Sequence, residues 1–211
     1  VLLAYNVFLF YLLRDKRFLL YALYAINFGL GMLGGNGFGF MLLWPNAVAF
    51  NELSGSFFLC WAGAFAILFS RGFLNTRETS PRLDRLLQIT VTAFIVNALS
   101  MLASLWLDVS LSAVIQINLL IGAVGALSVI FLSLRALWRG EQGVRFFFFG
   151  WCVLWLGVLV ATLRLLDWLP ANVFTLYALQ IASTVEMLFL AFAMAHLSYL
   201  ERQVREQAQQ D

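Results

Sequence analysis

The chain has 211 residues, of which 63% are hydrophobic and only 11% are charged, and its mean hydropathy is +0.89. About a quarter of the residues of soluble domains are charged, so this composition excludes a soluble globular protein and predicts an integral membrane protein. At about 20 residues per spanning helix, the length allows roughly seven spans with short connections and no folded domain outside the membrane.

Seven apolar runs follow one another along the chain. The first, 1–13, would be about 20 Å long as a helix and is interpreted as the inner part of a truncated span. The other six predict spans at about 18–38, 52–69, 86–107, 113–134, 146–166 and 175–197. We therefore predict an all-α fold, a seven-helix transmembrane bundle.

The basic residues predict the orientation of this bundle. Of the thirteen Lys and Arg residues, all but Arg164 lie in alternate gaps between the apolar runs or in the C-terminal tail. The twelve are Arg14, Lys16, Arg17, Arg71, Arg77, Arg82, Arg85, Arg135, Arg139, Arg145, Arg202 and Arg205. Because basic residues accumulate on the cytoplasmic side of membrane proteins, we expect the N-terminus outside and the C-terminus in the cytoplasm.

The second span and the loop after it carry two packing signals. Gly31 and Gly35 form a pair of small residues four apart, which predicts the close approach of another helix. Trp44, Pro45 and Asn46 follow in an outer loop, where an interfacial tryptophan meets a turn that stops the helix.

Polar side chains within the predicted spans are the main candidates for function, because burying them in a membrane is costly. Glu186 lies about 15 Å into the seventh span, near the bilayer centre. Asn97 and Asn27 reach a comparable depth and are candidate hydrogen-bond partners, depending on helix packing. Gln180 and Ser183 extend Glu186 into a polar stripe, which is either helix-to-helix glue or a ligand-binding or protonation-switched position.

Two further ionisable residues lie near the predicted membrane surfaces. Arg164 precedes Asp167 by three residues, which favours a local ion pair, with a contact to an anionic ligand or an extracellular domain as the alternative. His196, the only histidine, lies near the inner surface and is either an interfacial side chain or a pH sensor.

The tail, 198–211, is polar but contains no glycine or proline, so we expect the last helix to continue beyond the membrane. Leu197, Leu200 and Val204 recur at spacings of three and four, which is the start of a heptad seam. His196, Leu200 and Val204 are therefore candidate residues of an output helix.

Enzymatic chemistry has little support in the sequence. One histidine and the two separated cysteines, Cys60 and Cys152, cannot supply three or four metal ligands. The only lysine, Lys16, is expected in a loop, which excludes a Schiff-base retinal within a span. No glycine-rich phosphate cradle and no cluster of nucleophile, acid and base at one depth is present. We predict no catalytic residue, no metal and no cofactor.

Several motifs in this order resemble one family, the bacterial seven-transmembrane receptors with diverse intracellular signalling modules (7TMR-DISM). The motifs are Ala4-Tyr5-Asn6 with Phe8 before Arg14-Asp15-Lys16, Gly37-Phe38-Gly39 before Leu43-Trp44-Pro45-Asn46, Phe73-Leu74-Asn75-Thr76 before Pro81-Arg82-Leu83-Asp84-Arg85, Leu169-Pro170-Ala171-Asn172, and Tyr177-Ala178-Leu179-Gln180-Ile181 with Glu186. The resemblance covers essentially the whole chain. It marks Trp44, Pro45, Asn46, Gln180 and Glu186 as characteristic positions.

The resemblance implies a sensor module in the bacterial cytoplasmic (inner) membrane, with 1–197 as the membrane domain and 198–211 as the start of a cytoplasmic signalling helix. An upstream domain would bind an extracellular ligand. A histidine kinase, diguanylate cyclase, phosphatase or similar output domain would follow. Where the family often has a charged Ala-Asp-Arg type motif, this chain has Ala195-His196-Leu197.

The implied partners are membrane lipid, the extracellular ligand, the output domain and a second copy of the chain, because such outputs commonly work as dimers. No nucleic acid is expected. The alternative function is a small-solute transporter or channel with a midplane site around Glu186 and Gln180. The absence of an internal repeat counts modestly against that alternative.

Overall fold

A computed structural model describes residues 14–107, 110–141 and 143–207, together with Phe8, Phe10 and Tyr11. Within these residues the regular secondary structure is entirely helical. The helices are α1 (Lys16–Gly35), α2 (Phe38–Leu42), α3 (Val48–Phe73), α4 (Thr76–Thr79), α5 (Pro81–Ala103), α6 (Leu111–Trp138), α7 (Val144–Leu165), α8 (Val173–Leu176) and α9 (Ala178–Gln207).

Six of the described helices are long and apolar enough to cross a membrane: α1, α3, α5, α6, α7 and the part of α9 up to Leu197. They overlap the second to seventh predicted spans, with ends that differ by up to five residues, so the all-α prediction is confirmed. The predicted first span, 1–13, lies almost wholly outside the described residues.

The predicted second span, 18–38, ends earlier than predicted and is followed by a separate short helix. Helix α1 begins after Asp15, whose carboxylate accepts a hydrogen bond from the Arg17 backbone N–H at 2.9 Å. It ends at Gly35, and Gly37 then adopts a φ of 80° as the first residue before α2. A φ in this left-handed region favours glycine. Gly37 therefore turns the chain at a point where the sequence predicted a helix continuing to residue 38.

The predicted seventh span begins with a separate short helix. The Asn172 side chain accepts a hydrogen bond from the Thr175 backbone N–H at 3.0 Å, and the Thr175 hydroxyl oxygen accepts one from the Asn172 N–H at 3.0 Å. This capping box starts α8, which ends before Tyr177. Helix α9 then runs from Ala178 to Gln207, so the prediction that the last helix continues past Leu197 is confirmed as far as Gln207.

The chain forms two compact units, Val1–Val129 and Ile130–Asp211, with the boundary inside α6. In the first unit α1 and α3 meet through glycines. A Cβ on Gly34 would lie 2.9 Å from the Gly55 nitrogen, and a Cβ on Gly31 would lie 3.2 Å from the Gly55 carbonyl oxygen. A Cβ on Gly55 would lie 3.0 Å from the Gly35 nitrogen. The close approach predicted from Gly31 and Gly35 is therefore present, and Gly34 also takes part in it.

A buried ion pair ties α3, α4 and α5 together at one end of the first unit. The Arg71 guanidinium donates to both Asp84 carboxylate oxygens, at 2.8 and 2.9 Å. The Thr76 hydroxyl and the Gln88 amide donate to the same carboxylate at 2.6 and 2.8 Å. Asp84 is only 4% exposed, so these hydrogen bonds replace the hydrogen bonds to water that the carboxylate loses on burial.

Candidate functional site

The second unit is built on the contact between α7 and α9, which two glycines bring close together. A Cβ on Gly157 would overlap the Ala182 Cβ and lie 3.0 Å from the Ala178 carbonyl oxygen. A Cβ on Gly150 would lie 3.1 Å from the Phe189 Cβ. Gly150 and Gly157 are seven residues apart and therefore lie on one face of α7. The two backbones meet there almost without intervening side chains.

Glu186 lies at this contact. It is 1% exposed, and a Cβ on Gly150 would lie 3.4 Å from its carbonyl oxygen and 3.7 Å from its Cγ. The Glu186 side chain thus leaves α9 directly against the backbone of α7. A carboxyl group in such a position is costly in a membrane, and this marks Glu186 as the first residue of the candidate site.

Ser183 and Gln180 occupy the next two turns of α9. Ser183 is 5% exposed, and its hydroxyl donates to the Gln180 carbonyl oxygen at 3.0 Å. Each step of three residues turns the helix by about 60° short of a full circle, so Gln180 lies about 120° around α9 from Glu186. Ser183 and Glu186 share the buried face, whereas Gln180 lies at its edge. The three polar residues therefore wind around α9 and do not form a straight stripe along one face.

Buried hydrogen-bonding groups without partners collect on both helices. Within the described part of the chain, the Gln180 Oε1, the Trp151 Nε1 and the Trp155 Nε1 are buried and have no hydrogen-bond partner. Trp151 is only 5% exposed. Trp151 and Trp155 are one turn apart on α7, and the pairing of Gly150 with Glu186 places Trp151 at the depth of the carboxyl group.

Such unsatisfied groups are rare in folded proteins and call for an explanation. The two indole N–H groups are donors and the Gln180 Oε1 is an acceptor, so each of these three groups can take a new hydrogen-bond partner. Neither tryptophan was predicted as a site residue from the sequence, because tryptophan counts among the apolar residues of a span. The available signal was their spacing of four within a span.

Arg164 does not form the ion pair predicted with Asp167. Its Nε is buried without a hydrogen-bond partner among the described residues. Helix α7 ends at Leu165, and Asp167 is exposed with a φ of 58°. Asp167 therefore lies beyond the helix, where the spacing of three no longer places two side chains on one face. Arg164 lies seven residues after Gly157, on the side of α7 that faces α9.

The two asparagines predicted as candidate partners of Glu186 have other partners within the first unit. The Asn97 amide donates to the Val114 carbonyl oxygen at 3.3 Å and to the Cys60 Sγ at 3.5 Å. The Asn27 amide donates to the Leu23 carbonyl oxygen of its own helix at 2.8 Å. Depth along a span was readable from the sequence, but the direction of the side chain was not.

The outer loop predicted around Trp44 is an aromatic cluster. The Trp44 ring covers Gly39, stacks on Phe58 at a centroid distance of 5.9 Å, and donates from Nε1 to the Asn51 Oδ1 at 3.3 Å. Pro45 and Asn46 are exposed beside it. Trp44 thus holds the loop in place, and Pro45 and Asn46 lie exposed at the surface of this loop.

The candidate output residues lie on the second half of α9. His196 is half-buried and packs edge-on against Phe146 at 6.5 Å. Leu200 and Val204 belong to the same helix, but their side chains lie outside the described part of the structure. Their proposed seam therefore stays a prediction.

Comparison with known proteins identifies the family of the chain. Residues 1–197 match the family described as 7TM diverse intracellular signalling. No curated protein and no solved structure matches the chain. The match includes all the helices on which the candidate residues lie, and it extends along α9 as far as Leu197. The chain therefore belongs to the 7TM diverse intracellular signalling family and is a multi-pass membrane domain of the sensor type found in signalling proteins.

Proposed function

We propose that this chain is the sensor module of a bacterial signal-transduction protein and passes an extracellular signal through α9 to a cytoplasmic output domain. One observation carries the proposal beyond the family. Helix α9 contains the buried Glu186 within its membrane part and runs without interruption to Gln207, ten residues beyond Leu197. A single rigid element thus joins the polar groups of the candidate site to the end of the described chain.

The contact between α7 and α9 suits such a role. Helices that meet through Gly150 and Gly157 can slide or rotate without first separating interlocked side chains. The unpartnered groups of Trp151 and Gln180 offer alternative hydrogen bonds in a second arrangement. A ligand would bias this equilibrium only by binding one arrangement more tightly than the other.

We further propose that the protein lies in the inner membrane with the Trp44 loop outside and the end of α9 in the cytoplasm. The alternation of basic residues supports this orientation. Single cysteines at Asn46 and Gln203, introduced after Cys60 and Cys152 have been replaced by Ala, would report it through a membrane-impermeant maleimide. Asn46→Cys should label in cells with a permeabilised outer membrane, and Gln203→Cys only after lysis. The reverse pattern would overturn the orientation.

The relay through α9 is tested by changing the phase of this helix in the full-length protein. Two alanines inserted after Tyr199 turn everything beyond them by about 200°, whereas seven turn it by about 700°, nearly two full turns. We expect the basal activity of the output domain in isolated membranes to change at least about fivefold with two alanines, and to stay within about twofold with seven.

Equal output from both insertions would refute a relay that depends on the orientation of α9. The transporter alternative predicts a different result, namely solute uptake into proteoliposomes that disappears in Glu186→Gln. The sensor proposal predicts no such uptake across a broad solute panel. An upstream ligand-binding domain and a homodimer belong to the same proposal and would be detected in the full-length protein by ligand protection and by crosslinking.

A further inference from the structure

A cavity of about 410 Å³ opens in the second unit, at the end of the α7 and α9 pair opposite Arg164. Its volume lies in the range of about 300–1,000 Å³ that is usual for small-molecule sites. It is lined by Leu137, Gly140, Glu141, Gly143, Arg145, Phe146 and His196. None of these lining residues belongs to the cluster around Glu186, so the cavity is a separate site.

Two glycines shape the cavity. Gly140 adopts a φ of 76° at the end of α6, where its N–H bonds to the Leu137 carbonyl oxygen and the Glu141 N–H bonds to the Ala136 carbonyl oxygen. This Schellman motif stops α6. Gly143 adopts a φ of 85° before α7, and a Cβ there would lie 3.3 Å from the His196 Cδ2. Larger residues at these positions would strain the turn or displace His196.

The cavity contains both signs of charge on neighbouring elements. Glu141 follows α6, Arg145 lies in the first turn of α7, and His196 comes from α9. Within the described residues, neither Glu141 nor Arg145 forms an ion pair with another side chain. A simple anion in the cavity would face Glu141, and a simple cation would face Arg145. A ligand that carries both charges a short distance apart satisfies both side chains.

We propose that this cavity binds the headgroup of a zwitterionic aminophospholipid, with Arg145 holding the phosphate and Glu141 the primary ammonium group. A ring N–H of His196 provides a further hydrogen bond to the phosphate. Leu137 and Phe146 form the apolar part of the lining, where the glycerol and the start of the acyl chains would lie. Phe146 is 40% exposed, so the cavity borders on the region that lipid occupies around a membrane helix.

This site has a physical link to α9. Phe146 packs against Phe192 at 6.2 Å and against His196 at 6.5 Å, one turn apart on that helix. A bound headgroup would contact α7 through Arg145 and α9 through His196, and so hold the two helices together near the end of the spans. Placing the site in the inner leaflet rests on the orientation proposed above, whereas the site itself does not.

The site is tested by native mass spectrometry of the delipidated full-length protein in detergent, titrated with phosphatidylethanolamine or phosphatidylglycerol. Arg145→Gln should weaken the binding of both lipids about tenfold, because each loses the charge-assisted bonds to its phosphate. Glu141→Gln should weaken phosphatidylethanolamine but strengthen the anionic phosphatidylglycerol. The control is Arg139→Gln, which removes the same charge from an exposed position outside the lining. It should leave phosphatidylethanolamine binding within about twofold.

Opposite effects of Glu141→Gln on the two lipids would support the proposal. Equal losses with Arg145→Gln and Arg139→Gln would show diffuse attraction to a basic loop and overturn it. In native mass spectra, lipid binding is read from the folded protein only. Arg145→Lys provides a second variant that keeps the charge but loses the paired N–H bonds. We expect it to weaken phosphatidylethanolamine about threefold. Unchanged binding in this variant would also overturn the role of Arg145.

Free O-phosphoethanolamine carries the same two charges and distinguishes the sources of the ligand. If it binds at millimolar concentration with the same variant profile while the phospholipid does not bind, the lipid assignment is overturned. Because the readout is binding and not output activity, a failed relay through α9 would leave the expected lipid binding unchanged. The two proposals therefore fail independently.

Discussion

Gly157→Ala should destabilise the α7 and α9 contact by an amount that the structure allows us to estimate. The added Cβ would overlap the Ala182 Cβ and lie 3.0 Å from the Ala178 carbonyl oxygen. Carbon atoms in contact normally lie about 3.5–4.0 Å apart, so the helices must separate by about 1 Å or more. Overpacking of this kind costs about 2 kcal/mol.

Gly29→Ala provides a matched control. Gly29 lies in the middle of α1, and a Cβ there would meet nothing within 4 Å. The same substitution should therefore stabilise the protein slightly, by about 0.5–1 kcal/mol, because alanine loses less backbone entropy in a helix. Each variant adds one methyl group to the parent protein, and we expect the two to change the free energy of unfolding in opposite directions.

The measurement is unfolding of the purified protein by SDS titration in mixed micelles, followed by far-UV circular dichroism. A double-mutant cycle with Ala182→Gly assigns the cause, since that change removes the atom with which the new methyl group collides. We expect a favourable coupling of about 1–2 kcal/mol between the two substitutions. Additive effects, or a Gly157→Ala variant as stable as Gly29→Ala, would refute the close contact of the helices.

Three further predictions concern the first unit; the same titration checks the first two, and tryptophan fluorescence checks the third. Arg71→Met leaves the Asp84 carboxylate buried without its cation and should cost about 3 kcal/mol, whereas Arg71→Met combined with Asp84→Leu should cost less than the sum of the single changes. Asn97→Ala removes two hydrogen bonds from a buried position and should cost about 1–2 kcal/mol, with no loss contradicting the role of its amide. Gly39→Ala would collide with the Trp44 ring, so the tryptophan fluorescence should shift; an unchanged spectrum would contradict the packing of that loop.

The spans could be read from the sequence because hydropathy and length depend on each segment alone. The helix boundaries were less accessible where two local signals compete. Gly37 divides α1 from α2, although every residue around it is compatible with a longer span. The capping box of Asn172 and Thr175 was visible as a pair of polar residues three apart, but the apolar run that begins at Thr175 favoured one helix without the break at Tyr177.

The candidate site shows a second limit of the sequence. Glu186 could be identified because a carboxyl group in an apolar run is exceptional. The partners of Asn97 could not be identified from the sequence, because the depth of a residue along a span depends on one helix, whereas side-chain contacts depend on how two helices pack. The cavity beside Arg145 was also missed, since Arg145 and Glu141 both read as ordinary loop charges until the turns at Gly140 and Gly143 bring them to one opening.

The glycine contact of α9 makes the helix a lever of unequal arms. From Ala182, where the backbones of α7 and α9 meet, Ala178 is four residues away and Gln207 is twenty-five, which correspond to about 6 Å and 38 Å along the helix. If α9 tilts rigidly at Ala182, a shift of about 0.5 Å at Ala178 becomes about 3 Å at Gln207. A displacement smaller than a bond length at the short arm is then large enough at the long arm to change which side chains of a neighbouring helix can pack together.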